Sequence, residues 1–91
     1  MKAVRLRITG KVQGVFYRAW AEAQARRRGL HGFVRNRRDG SVEMLLVGPP
    51  DKVEEMIAAA HQGPPAARVE SVAVEPAQGI VPARFEIKPT V

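Results

Sequence analysis

The chain contains no cysteine. That excludes disulfide bonds, thiolate nucleophiles and cysteine-held metals, and it frees the fold from any need for an oxidising compartment. Histidine occurs only at His31 and His61, and asparagine only at Asn36. Acids and histidines do not cluster as a metal site would require, and Ser41 and Ser71 have no base partner near them in sequence, so neither metal-assisted nor serine-nucleophile chemistry is expected. No apolar run approaches the roughly 20 residues that cross a bilayer. Met1 to Ile8 alternates charged and apolar residues where a signal peptide would be continuously apolar. The expectation is a soluble, cytoplasmic protein. A length of 91 residues leaves room for one domain, so residues 1–91 are read as a single unit.

Positive charge is what the chain does have. Fifteen Lys and Arg stand against nine Asp and Glu, a formal +6, which points to an anionic partner: phosphate, nucleic acid or a membrane surface. The excess is uneven. Residues 1–46 hold eleven basic side chains and three acids (Glu22, Asp39, Glu43), for +8, and residues 47–91 sum to −2. An anion should therefore bind the first half.

Hydrophobic periodicity orders the elements. Lys2 to Ile8 sets Val4, Leu6 and Ile8 against Arg5 and Arg7, the two-residue period of a half-buried strand. Gly10 to Tyr17 reads as a loop. A helix is predicted from about Arg18 to Arg28, with Trp20 and Ala23 inward and Gly29 as its stop; Phe16 and Trp20 are expected to pack it against the sheet. Leu30 to Asn36 and Ser41 to Val47 form a hairpin around Asp39-Gly40. A two-residue type I′ turn there pairs Arg38 with Ser41 and Asn36 with Glu43. After Pro49 and Pro50, the spacing of Val53, Met56, Ile57 and Ala60 predicts a second helix. Asp51 and Glu54 resemble a capping arrangement at its start, and Gly63-Pro64-Pro65 ends it. Val69 to Val74 reads as a strand whose valine spacing breaks alternation, so a bulge is expected. A turn at Gly79 to Pro82 leads to a short strand, Arg84 to Lys88, with Phe85 and Ile87 inward.

The order βαββαβ, with a last short strand, predicts an α+β, ferredoxin-like split βαβ sandwich: an antiparallel sheet with two helices on one face. That fold hosts enzymes, RNA-binding modules and metal carriers alike, so function has to come from a site.

The loop before the first helix is the candidate. Between positions 10 and 20 there is no Ser, Thr, Asp or Asn, so the helix start has no side-chain cap. Its first amides are unpaired donors, and Gly14 allows close backbone approach, so an external anion such as phosphate could serve as the missing acceptor. Arg18 at the first turn meets the positive end of the helix dipole, a placement that makes sense with a dianion between them. The loop has neither nucleotide-binding glycine spacing.

Val12-Gln13-Gly14-Val15-Phe16-Tyr17-Arg18 resembles the signature loop of the acylphosphatase family. Gly32-Phe33-Val34-Arg35-Asn36 with Asp39-Gly40-Ser41-Val42-Glu43 resembles its second signature, eighteen residues separating Arg18 from Asn36. Gly63-Pro64-Pro65-Ala66, Arg68-Val69 and Phe85-Glu86-Ile87 extend the resemblance over essentially the whole chain. Two departures are Phe33, where many members have Trp, and Arg37, where Thr or Leu is more usual and which would change the charge at the pocket rim.

The resemblance implies hydrolysis of a carboxyl phosphate to carboxylate and inorganic phosphate, by direct attack of water, with no metal, cofactor or phosphoenzyme. It assigns Arg18 to the phosphate oxygens, the backbone amides of Gln13, Gly14, Val15, Phe16 and Tyr17 to the cradle, and Asn36 to the attacking water. A small acyl phosphate would be the partner, with no membrane or nucleic acid, and the chain would act as a monomer. The competing expectation is a small basic RNA-binding module of the same fold. Such modules stack bases on strand aromatics, whereas three of the five aromatics here, Phe16, Tyr17 and Trp20, fall at positions 16–20. The run Arg26-Arg27-Arg28 reads as solvated charge at a helix C-terminus. A catalytically idle regulatory domain of this fold is a third, weaker alternative.

Overall fold

The computed structural model describes residues 1–79 and 81–91. Five strands and two helices follow in the order β1 (Lys2–Lys11), α1 (Tyr17–Arg27), β2 (His31–Asn36), β3 (Val42–Gly48), α2 (Pro50–Gln62), β4 (Arg68–Pro76) and β5 (Phe85–Ile87). The sheet order is β4-β1-β3-β2-β5, and the first four strands pair antiparallel. The expected split βαβ sandwich is therefore present. The short last strand adds one feature: β5 pairs parallel with β2, so the sheet is mixed at that edge. The turn expected at Gly79 to Pro82 includes Ile80, which lies outside the described residues.

Alternation places Val4, Leu6, Ile8, Val34, Val42, Met44 and Leu46 under the helices, all nearly or fully buried. The expected bulge in β4 is also there. The register against β1 shifts between Thr9 and Gly10, which pair with Ser71 and Val69, leaving Glu70 unopposed. An extra residue reverses the facing of everything beyond it, and this is how Val69 and Val72, three apart, both pack against the same core.

Several expectations are corrected. The first helix buries Tyr17, Ala21 and Ala25, with Trp20 partly buried against the core and Ala23 exposed. Because the helix starts at Tyr17, its i, i+4, i+8 stripe runs through the two alanines. Phe16 does not pack against the sheet; it is 82% exposed. In α2 the inward positions are as expected, but the N-cap is Pro49 with no side-chain cap hydrogen bond. Pro50 at the first position replaces a capping box with a pre-set φ. In β5 Phe85 is buried, whereas Ile87 is 40% exposed.

The hairpin register is shifted by one residue. Asn36 pairs with Val42 and Arg35 with Glu43. The loop is longer than a two-residue turn: the Arg37 N–H donates to the Ser41 carbonyl and the Gly40 N–H to the Arg37 carbonyl. Phe16 is the sole non-glycine residue with positive φ among the described residues, so Asp39 does not take the left-handed geometry of a type I′ turn. Its carboxylate instead accepts from the Ser41 N–H and hydroxyl, at 2.9 and 2.6 Å. A one-residue slip exchanges faces. It puts Glu43 on the open face among Arg5, Arg35 and Arg37.

Candidate active site

The β1–α1 loop turns on two residues of left-handed backbone, Gly14 at φ 73° and Phe16 at φ 66°, with Val15 between them outside that region. Alternation of this kind tilts successive N–H groups to one side and forms a concavity suited to anions. Gly14 supplies its turn without the steric penalty that a Cβ would carry. No backbone N–H from Gly14 to Ala19 has an acceptor among the described residues. The helix start has neither a side-chain cap nor an acidic residue in its first turn.

A cavity of about 430 Å³ opens beside this loop, lined by Val12, Gln13, Gly14, Phe16, Tyr17, Arg18, Ala19, Asn36 and Ile87. The residues expected at the site thus converge, with one exception: Val15 does not line the cavity, since its side chain is buried in the core. Arg18 projects from the first turn of α1 and has no acidic or hydrogen-bonding partner among the described residues. This sets it apart from Arg5, Arg7, Arg26, Arg28, Arg35, Arg37 and Arg84, each of which meets a carboxylate; Arg27, Arg38 and Arg68 also meet none among the described residues but do not line the cavity. Asn36 is the last residue of β2, on the helix-covered side. Its carbonyl accepts from the Val91 N–H at 3.1 Å, and its side-chain amide has no partner among the described residues.

Sequence reasoning missed three supports. The Gln13 carboxamide donates to the carbonyls of Arg37 and Ser41, at 2.7 and 2.8 Å, so the loop is tied to the hairpin turn that follows Asn36. Long-range bonds of this kind leave no periodic signal. The Tyr17 hydroxyl donates to the Ala60 carbonyl at 2.7 Å, anchoring the start of α1 to the end of α2, and burial pushes its phenol well above its ordinary value. Ile87 reaches the cavity because β5 pairs beside Val34, two residues before Asn36; alternation gave its facing, but not that β5 would lie next to β2.

Arg37 does not alter the pocket rim. It follows the last residue of β2 and its side chain goes to the other face from Asn36, where its Nη1 donates to Glu43 at 2.8 Å. Glu43 is 5% exposed. Burial works against its charge, but hydrogen bonds from Arg35 and Arg37 hold its carboxyl below the usual carboxylate range. Phe33, the other departure, lies under Arg35 and Lys88, both within 5 Å of its ring centre. Among the described residues no group of three or more His, Asp or Glu side chains gathers.

A split βαβ sandwich with open amides, an unpaired arginine and a free carboxamide on one cavity defines a class: small α+β domains with a polar pocket at the first βα loop. Comparison narrows it. The acylphosphatase family model matches residues 4–87. An acylphosphatase of Rhizorhabdus wittichii is 55% identical over 89 residues, 98% of this chain and 90% of its own. The crystal structure of the acylphosphatase from Bacillus subtilis superposes with a TM-score of 0.91 at 33% identity, covering 97% of this chain and 99% of its own. The structure of an acylphosphatase from Coxiella burnetii gives 0.91 at 30% identity, covering 96% of this chain and 92% of its own. The chain belongs to the acylphosphatase family, and its enzyme class is that of hydrolases acting on acyl phosphates.

Proposed function

We propose that residues 1–91 act as a single, monomeric, cytoplasmic domain that hydrolyses the carboxyl-phosphate bond by direct attack of water. The amides of Gln13 to Tyr17 and the Arg18 guanidinium hold the phosphoryl oxygens, and the Asn36 amide orients the water. Water oxygen bonds to phosphorus as the bond to the acyl oxygen breaks. The carboxylate departs with the bonding pair, and the water proton passes to phosphate or solvent. A carboxylate with a conjugate-acid pKa near 4 needs no strong general acid to leave, so the protein has chiefly to position and to stabilise charge. A forked guanidinium suits two phosphate oxygens as an ammonium does not.

The observation that carries this reading is the meeting of open amides, unpaired Arg18 and free Asn36 on one cavity. Among the described residues no helix is long and apolar enough to cross a membrane. Hydrolysis of benzoyl phosphate with a chelator present tests the reading. Arg18→Gln and Asn36→Ala are each expected to lower kcat by about 10²–10³; an inactive wild type, or activity surviving both substitutions, would refute it. The RNA reading gains no support from the open sheet face, where Phe33 is covered by cations.

A further inference from the structure

The cavity is larger than one phosphoryl group, and its surplus wall is apolar. Phosphate has five heavy atoms; at the roughly 30 Å³ that one water takes in the liquid, it fills at most about 150 Å³ of about 430 Å³. The exposed apolar residues on the cavity wall include Phe16 and Ile87, 82% and 40% exposed. Single exposed hydrophobic residues are common and mean little alone. Phe16 differs because it carries two penalties at once. Its ring is left in water, and its backbone is left-handed at φ 66°, a region that a bulky side chain avoids and that Gly or Asn would enter more easily. Strain at a residue of the candidate anion loop is a pointer to function.

We infer that Phe16, together with Ile87, forms the acyl subsite of this enzyme, contacting the apolar and preferably aromatic acyl part of the substrate while the loop amides and Arg18 hold its phosphoryl end. The inference rests on the hydrolase reading above and names the substrate class of that same site. In an acyl phosphate the carbonyl carbon stands only two bonds from phosphorus. With the phosphoryl group on the loop amides, the acyl group must occupy the rest of the same cavity, whose wall includes these two side chains. An aromatic ring there covers Phe16 and is itself removed from water, a gain that a methyl group offers only in small part.

The test is the ratio of kcat/KM for benzoyl phosphate to that for acetyl phosphate. The wild type is expected to favour the aromatic substrate. Phe16→Asn, which tolerates the left-handed backbone, lowers the ratio about tenfold, the scale of a small apolar contact in a pocket. Ile87→Ser lowers it further in the double variant, and Phe16→Leu restores part of it. Neither side chain belongs to the buried core, so neither substitution opens a cavity in it. A ratio unchanged in Phe16→Asn and in the double variant, with acetyl phosphate still hydrolysed, overturns the acyl subsite alone. A wild type that hydrolyses neither substrate overturns the hydrolase reading beneath it.

Discussion

Tyr17→Phe removes one oxygen atom and isolates one hydrogen bond. The acceptor is the carbonyl of Ala60 in the last turn of α2, 2.7 Å from the Tyr17 hydroxyl. A helix carbonyl ordinarily accepts from the N–H four residues on. Here that residue is Pro64, which has no N–H, so Tyr17 supplies the donor that the sequence denies. Phenylalanine keeps the ring, with its edge packing on Trp20 at 5.3 Å, and opens no large cavity. What remains is the cost of a buried, unpaired carbonyl, about 1–3 kcal/mol. For a chain of this length that is about 4–8 °C in Tm for each kcal/mol. Urea denaturation reads it as a lower midpoint with an unchanged slope. A change below about 0.3 kcal/mol would mean that another donor serves Ala60. The same bond has a pH signature. Burial raises the phenol pKa in the native state, so the stability it represents is complete below the unfolded value of about 10 and is lost as pH rises beyond it. Tyr17 is the only tyrosine, so near-ultraviolet absorbance follows its ionisation directly, and Tyr17→Phe should flatten the alkaline loss.

Three further outcomes are expected. Gly63→Ala should destabilise by about 1–3 kcal/mol from backbone strain, before any clash is added. Its φ of 67° with ψ −173° is open essentially to glycine alone, and a Cβ there would lie 2.9 Å from Cε2 of Tyr17; a wild-type denaturation midpoint would contradict this. Gln13→Leu breaks both ties from the loop to the hairpin turn. At about 1 kcal/mol each, they bound the loss of inorganic phosphate affinity at about thirtyfold, read by calorimetry, with undiminished affinity the contrary result. Glu43→Gln removes the carboxylate that Arg5, Arg35 and Arg37 share. Because the native carboxyl sits below its ordinary value, its contribution is complete above about pH 4.3 and disappears as pH falls through the lowered value. The variant should be less stable at pH 7 and lose less between pH 5 and 3; identical acid profiles would count against it.

Much of the candidate site was legible because it is local. Gly14, Phe16 and Arg18 lie within one stretch, and the absence of any capping side chain between positions 10 and 20 marked the open amides before their direction was known. Asn36 was marked only by the resemblance of Gly32 to Asn36 to a family signature, since a single asparagine beside a hairpin is ordinary. The hairpin was equally plain, but its register was not: Asp39-Gly40 fits both a two-residue turn and the longer loop observed, and the choice rests on bonds from Ser41 to Asp39 and from Gln13 to the turn carbonyls. Phe16 was misread because aromatic character suggests burial, while the facing of a residue in an irregular loop depends on φ, and no periodicity encodes it.

Strand and helix order, the bulge in β4, the inward stripe of α2 and the amide-rich loop ending at Arg18 can all be read from the residues. These follow from spacing along the backbone, where alternation and the helical repeat act over a few residues. Packing across the fold settled that β5 runs parallel beside β2, that Ile87 and Phe16 border the pocket, and that among the described residues seven other arginines meet carboxylates while Arg18 does not. The physical reason is distance in the chain. Gln13 reaches residues 24 and 28 positions away, Tyr17 reaches one 43 away, and charge pairs form wherever the sheet register brings opposite signs together. Composition counts arginines, and packing sets Arg18, of the few without a carboxylate partner among the described residues, on the cavity.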